Sequence, residues 1–170
     1  MTTGPRTDEV DEIVAAWHRE RPDLDVTPLE VLSRISRLAA IVDQRRGAAF
    51  GAHGLQAHEF DVLTALRRDG APFELTAGEL TARTHVTSGT MTSRLDRLVA
   101  RRFVTRRPDP TDGRLVRVRL TASGRRRVDA ALTTLLDSEH ELLARLDDTL
   151  RVGLGDALRT LLLAATTTAT

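Results

Sequence analysis

Hydrophobic residues recur every three or four positions along most of this chain, the spacing that places them on one face of a helix. A short first helix is predicted over residues 8–19, with acidic residues in its first turn. A long helix follows, with Thr27 as N-cap and Pro28 at its first helical position, and Gly-Ala-His-Gly at 51–54 ends it. Its predicted buried stripe consists of Leu29, Leu32, Ile35, Leu38 or Ala39, and Val42.

Three shorter helices are predicted in the middle of the chain. The first runs from about Ala57 to Asp69, and Thr76 caps the second, which carries Leu80. The third lies within residues 84–102 and follows the second after a tight turn. The residues predicted to point inward are Phe60, Leu63, Leu66, Val86, Met91, Leu95 and Leu98.

The period then changes from helical to alternating. Val116, Val118 and Leu120 alternate with Leu115, Arg117 and Arg119, and Phe103-Val104 supplies a partner strand, which predicts a β-hairpin with one packed and one cationic face. Helical spacing returns from Ala122, with a break near residues 147–155, and the final Ala-Ala-Thr-Thr-Thr-Ala-Thr is expected to be frayed.

This order of elements predicts a mostly α fold with a small β-hairpin, arranged as a winged helix-turn-helix. We expect an arm helix in residues 1–25, dimerisation helices in 26–54 and 122–165, and a DNA-binding region in 55–121, within one compact domain. The outer helices carry more leucine than a small helical core can cover. The sequence therefore predicts a homodimer through the N- and C-terminal helices.

Charge is distributed unevenly along the chain, although the net charge is only +1. Residues 94–127 hold twelve of the 25 basic residues, all arginine, against three aspartates, for a net +9, and the rest of the chain carries −8. A concentrated basic block on an acidic body is typical of a face that binds a polyanion.

The helix before the hairpin offers side chains suited to double-stranded DNA. In a helix-turn-helix the second helix enters the major groove, where hydroxyl and guanidinium groups meet base edges and phosphates. A lone arginine at the tip of a β-ribbon suits the narrow, electronegative minor groove. The candidates are Thr87, Ser88, Thr92, Ser93 and Arg97 for the major groove, Arg114 for the minor groove, and Arg107 and Arg117 for phosphates.

Two other interpretations of the basic hairpin stay open at this stage. An arginine-rich strand face can be a solvated surface, or it can dock on an acidic protein partner. Affinity for phosphates weakens steeply with salt and a DNA reader prefers a sequence, whereas a protein-docking module shows no preference among DNA sequences.

The segments "SGTMTSRLDRL" and "RRPDPTDGR", together with "VRLT", resemble the core of the MarR family of bacterial transcription regulators over about residues 55–130. The resemblance implies an obligate homodimer and a pseudo-palindromic operator, with half-sites about one helical turn apart. Two departures from the family pattern are visible. The wing tip has Asp112-Gly113-Arg114 where Asp-Arg-Arg is usual, and Arg102 replaces the glycine common before the first wing strand.

The added N-terminal helix resembles the urate-responsive branch of that family. The resemblance implies a ligand pocket formed by Trp17, Asp61, Arg94 and Arg106, with a small anionic effector such as urate, a related purine, or a tricarboxylate like trans-aconitate or citrate. Arginines bind such anions by bidentate hydrogen bonds, and Trp17 can stack on a flat ring. Trp17 as a plain anchor of the arm, and Asp61 in a structural ion pair, remain the alternative.

The same residues argue against other functions. There is no cysteine, and the five histidines show no ligand spacing, so we expect no metal site and no cofactor. "HEFDV" lacks the second histidine of a zinc hydrolase, and no nucleophile triad or phosphate loop appears, so we expect no enzyme. With no signal peptide and no apolar run of membrane-spanning length, the expected location is the cytoplasm. Whether the regulator represses or activates, or depends on a ligand at all, is open in the sequence.

Overall fold

The computed structural model describes residues 7–167, which form seven helices and three short strands. The chain divides into two compact units, residues 1–46 and 47–170, which we describe separately. The prediction of a mostly helical fold with a small sheet is confirmed.

The first unit contains α1 (Glu9–Glu20) and most of α2 (Thr27–Ala52). Asp8 caps α1 by accepting hydrogen bonds from the backbone N–H groups of Val10 and Asp11. The α2 helix begins at Thr27, whereas Thr27 was predicted to be the cap just before the helix, so α2 starts earlier than predicted. The Thr27 backbone N–H donates to the Asp25 carboxylate at 3.0 Å. The small core of this unit consists of Val10, Val14 and Val26, with Leu29 against it.

The second unit contains the remaining elements in an order that alternates helices with single strands. They are α3 (Ala57–Arg68), β1 (Glu74–Thr76), α4 (Ala77–Thr84), α5 (Ser88–Ala100), β2 (Val104–Pro108), β3 (Val116–Leu120), α6 (Ala122–Leu143) and α7 (Asp148–Thr167). Its core includes the residues predicted to point inward from α3 and α5, together with Val118 and Leu120 of β3 and Val128 of α6.

The sheet is antiparallel with the order β1-β3-β2. The hairpin of β2 and β3 was predicted, but β1 was missed. Its three residues, the last of which is the cap of α4, are too few to show a period, and only pairing with β3 makes them a strand. Val118 and Leu120 are buried as expected. Val116 is 42% exposed, so its predicted packing is wrong: it pairs with Pro108 at the outer end of the hairpin, away from the core.

The C-terminal half is divided into two helices as predicted, but the break lies at residues 144–147, because α6 ends at Leu143 and α7 begins at Asp148. The predicted break near 147–155 is therefore placed too late, since residues 148–155 are helical. The expectation of a frayed tail is wrong for residues 164–167, which remain helical. The hydroxyls of Thr166 and Thr167 donate to the Leu163 carbonyl at 3.0 and 2.9 Å, so these side chains satisfy helix-end acceptors. The last three residues of the tail lie outside the described part of the chain.

Candidate nucleic-acid interface

A tight turn joins α4 to α5. Thr76 and Glu79 form a capping box at the start of α4, and His85 ends that helix in the left-handed region at a φ of +51°. Thr87 then caps α5 through a hydrogen bond from the Thr90 N–H to its hydroxyl at 3.3 Å. Two caps two residues apart therefore fix where α5 starts and in which direction it runs.

The α5 helix buries one face and presents the other to solvent. Met91, Leu95 and Leu98 are each at most 1% exposed. The five side chains predicted for the major groove are all exposed: Thr87, Ser88, Thr92, Ser93 and Arg97. The Thr92 and Ser93 hydroxyls donate to the carbonyls of Ser88 and Gly89, so their oxygens keep lone pairs for an outside donor. These five side chains form a polar surface, and none of the five is acidic.

The wing, which we define as β2, β3 and the loop 109–115, carries Arg114 at its tip. Arg114 is exposed, its backbone N–H donates to Asp112 Oδ1 at 3.0 Å, and its guanidinium has no ion pair within residues 7–167. An exposed, unpaired guanidinium on a β-ribbon has the geometry expected of a minor-groove contact.

Arg107 and Arg117, predicted for phosphates, are ion-paired with carboxylates of β1 and of the wing loop. Arg107 donates to Glu74 at 2.9 Å, which raises the pKa of its guanidinium. Arg117 donates to Asp109 and lies 3.7 Å from Glu74. Side chains of these two arginines are still 56% and 36% exposed, so each has donors left for a second acceptor.

Two buried carboxylates, Glu74 and Asp109, hold these arginines, and the sequence interpretation missed both. Hydrogen bonds from the Thr111 hydroxyl, the Thr111 N–H and Arg117 hold the pKa of Asp109 well below its usual range. Asp109 was interpreted only as part of a turn. The sequence does contain a signal for its role: Asp109 lies in residues 101–121 among seven arginines, and an acid buried there requires a cationic partner.

A cleft of about 290 Å³ lies beside the exposed face of α5. His58 lines it from α3, and Thr90, Ser93, Arg94 and Arg97 line it from α5. Neither arginine has an ion-pair partner in the part of the chain that the structure describes. The cleft thus joins Arg94, predicted for an effector, to Ser93 and Arg97, predicted for DNA.

Arg106 and Arg94 make different contacts. Its guanidinium donates to Asp96 Oδ1 at 2.6 Å and to the Thr92 carbonyl at 2.9 Å, and its buried Nε has no hydrogen-bond partner among the described residues. Arg106 therefore ties β2 to α5, whereas Arg94 is directed toward the cleft.

The other two predicted pocket residues lie on separate elements. Asp61 is exposed on α3. Trp17 belongs to the first unit, where it is 47% exposed on α1.

The described residues contain no group of three side chains that could hold a metal ion. No helix among them is long and apolar enough to cross a bilayer.

Comparison with known proteins identifies this arrangement. A sequence model of the MarR family matches residues 53–115. The chain is 35% identical over 136 residues to the HTH-type transcriptional regulator PecS of Dickeya dadantii (strain 3937), covering 80% of this chain and 82% of that protein.

Solved structures give the same result for the fold. A mutant of MarR from E. coli in complex with operator DNA is 27% identical, with a TM-score of 0.62, and the match covers 82% of this chain and 99% of that one. BpsR of Bordetella bronchiseptica, whose DNA binding is regulated by 6-hydroxynicotinic acid, is 27% identical with a TM-score of 0.58, over 75% of this chain and 98% of that one.

Proposed function

Since this chain belongs to the MarR family of transcriptional regulators, we propose that it binds a pseudo-palindromic operator as a homodimer and releases it when a small anion binds. The observation that carries the DNA-binding part is the exposed polar face of α5 together with the exposed Arg114 on the wing. The location that follows from a DNA partner in a bacterial regulator is the cytoplasm.

The DNA contacts divide by chemistry. The small hydroxyls of Thr87, Ser88, Thr92 and Ser93 allow the α5 backbone to approach base edges, and Arg97 supplies a guanidinium for a base or a phosphate. Arg114 enters the minor groove. Arg107 and Arg117 use their exposed donors for flanking phosphates, so their contribution to affinity is smaller than that of Arg114.

The homodimer is supported by α7, a helix of 20 residues with none buried. Its stripe of Leu154, Leu158 and Leu161 is 40–41% exposed in the single chain. On α2, Leu32 and Leu38 are likewise 52% and 42% exposed. A second copy is the occupant we propose, because a two-fold dimer covers like faces with like faces and places two α5 helices on successive major grooves, about 34 Å apart.

We propose Trp17, Asp61, Arg94 and Arg106 as the effector-binding residues, with urate, another purine-pathway anion or a tricarboxylate as the effector. The cleft beside α5 supports an anionic ligand, because Arg94 and Arg97 both line it and neither pairs with a carboxylate of residues 7–167. An anion held there shares α5 with the DNA-contacting side chains, so it changes the free energy of DNA binding through the same helix. The regulation of BpsR by 6-hydroxynicotinic acid is a precedent for this class of effector.

The alternatives are a winged-helix module that docks on an acidic protein, and a regulator that ignores ligands. A mobility-shift titration against DNA from the upstream region of its own gene, repeated with urate, xanthine, trans-aconitate and citrate, separates them. A sequence-specific shift that one anion reverses supports the full proposal. A specific shift that no anion disturbs supports a ligand-independent regulator, and the absence of any specific shift at any salt concentration supports the protein-docking module. A reporter gene behind the same DNA then distinguishes repression from activation.

A further inference from the structure

Three charged side chains of the wing and one of the neighbouring strand β1 neutralise one another. Arg107 and Arg117 are paired with Glu74 and Asp109, whose side chains are only 5% and 1% exposed. The two guanidiniums and two carboxylates sum to zero charge. A neutral cluster attracts a polyanion weakly, so its main effect is on the geometry of the wing.

Of these four residues, Asp109 contributes most to the geometry of the wing. Its Oδ1 accepts hydrogen bonds from the Thr111 N–H at 2.8 Å, the Thr111 hydroxyl at 2.6 Å and the Asp112 N–H at 3.1 Å. Its Oδ2 accepts from Arg117 Nε on β3. One buried carboxylate therefore closes the loop on itself and attaches it to the strand that follows.

The loop closed by Asp109 is the one that carries Arg114. The Asp109 N–H donates to the Leu115 carbonyl at 2.9 Å, and the Leu115 N–H donates to the Asp112 carbonyl at 2.9 Å. Arg114 lies between those two bonds, with its own N–H on Asp112. These hydrogen bonds on both sides of Arg114 therefore fix the direction of its backbone, although its side chain is exposed.

We propose that Asp109 is a positioning residue for DNA recognition, which fixes the loop that directs Arg114 into the minor groove. This inference rests on the proposed DNA-binding function. A loop ordered before binding loses less conformational entropy when the arginine enters the groove. This smaller entropic cost offsets the repulsion between the Asp109 carboxylate and the DNA phosphates. Asp109 touches no DNA in this proposal and acts through Arg114.

Charge alone predicts the opposite result, and this makes the inference testable. Asp109→Ala removes a negative charge and frees Arg117, so by charge alone it tightens binding and makes the salt slope steeper by about one counterion. If Asp109 is a positioning residue, the same change weakens binding to the preferred sequence by about tenfold, as loss of a directed arginine contact does. Asp109→Asn keeps an oxygen that can accept from the two loop N–H groups, so it restores most of the affinity.

The experiment measures fluorescence anisotropy of full-length protein on the duplex that the wild type enriches from a random-sequence pool, over a range of salt concentrations. The variants are Asp109→Ala, Asp109→Asn, Arg114→Ala and the Asp109→Ala/Arg114→Ala double variant. Thermal melting confirms that each is folded, and an unrelated duplex reports non-specific binding.

The expected result is a loss for Asp109→Ala that is restored by asparagine and disappears in the Arg114→Ala background. Binding by Asp109→Ala as tight as wild type, an equal loss in both backgrounds, or an asparagine variant as weak as the alanine variant would overturn the inference while the wild type still selects a sequence. If the wild type enriches no sequence, the proposed function fails, and the inference fails with it.

Discussion

Gly124 lies directly against the backbone of Phe103: a Cβ built on Gly124 would lie 2.1 Å from the Phe103 carbonyl oxygen. The same oxygen accepts hydrogen bonds from the Thr121 N–H at 3.0 Å and the Thr121 hydroxyl at 3.1 Å. Thr121 caps α6, so this contact fixes the start of α6 on the residue that precedes β2. The wing and α6 are therefore joined at a point where only glycine fits.

Gly124→Ala is expected to lower the free energy of unfolding by about 3 kcal/mol, because the contact is with backbone and cannot be relieved by a rotamer change. Chemical denaturation measures this. Gly78→Ala is the matched control, since Gly78 also lies in the first turn of a threonine-capped helix but its Cβ would meet only Thr76 Oγ1 at 3.9 Å. Equal stability of the two variants would contradict the close approach.

Arg102 has a φ of +58°, a region where a Cβ is strained, at the position where the MarR resemblance has glycine. Arg102→Gly is expected to stabilise the fold by about 0.5 to 1 kcal/mol, the relief of that strain less the greater flexibility of unfolded glycine. Arg102→Ala removes the same charge but keeps the Cβ. If both variants gain equally, the gain comes from charge and the strain argument is wrong.

Acid is expected to loosen α1. The hydrogen bond from Arg34, followed by those from the α1 backbone, lowers the pKa of Asp8 from 3.8 to about 2. A carboxyl with a lowered pKa stabilises the fold fully above its unfolded value, and this contribution disappears as pH falls from about 4 through about 2. Trp17 is the single tryptophan of the chain and lies on α1, so its fluorescence reports the change.

The control for that titration is Asp8→Asn, which keeps an acceptor for the helix cap but loses the charge that pairs with Arg34. Its fluorescence change in the same pH range should be smaller, with the remaining change due to Glu9, whose pKa is lowered by Arg37. An identical pH profile for the variant and the wild type would show that Asp8 is not the group responsible.

The periodic parts of the fold were predictable, and the long-range contacts were not. Thr76 as a cap, the hairpin, and the division of the C-terminal half into two helices follow from short-range patterns that the structure confirms, although the break between those helices was placed too late. β1 was missed because its partner lies far along the chain, with Glu74 opposite Arg119. The close approach of Gly124 to Phe103 cannot be predicted from the spacing of hydrophobic residues along the chain.

The candidate site shows the same limit. Exposure of the α5 side chains follows from helical period, but the wing arginines pair with residues far away in sequence, as Arg107 does with Glu74, 33 positions apart. Sequence reasoning grouped Arg94 with Arg106 by resemblance. In the structure Arg106 binds Asp96, while Arg94 lines the cleft with Arg97.

The proposed dimer predicts that a charge on the exposed stripe of α7 prevents association. Leu158→Glu and Leu161→Glu should convert the protein to a monomer, because each would bury an unpaired carboxylate against the second copy. Sedimentation equilibrium measures the mass. Leu115→Glu on the wing is the control, since Leu115 is similarly exposed at 44% but lies outside the proposed interface. A dimer that survives both α7 changes would exclude this face as the interface.

The different contacts of Arg94 and Arg106 predict different effects on effector and DNA. Arg94→Ala should weaken binding of the releasing anion by about tenfold or more, because a charge-assisted hydrogen bond is lost, and should change DNA affinity little. Arg106→Ala should weaken both, because it also removes the bonds that hold α5 through Asp96 and the Thr92 carbonyl. Calorimetry with the anion and anisotropy with the operator measure the two affinities separately. If Arg94→Ala retains full anion affinity while Arg106→Ala loses it, the effector binds at Arg106 and the cleft beside α5 has no part in release.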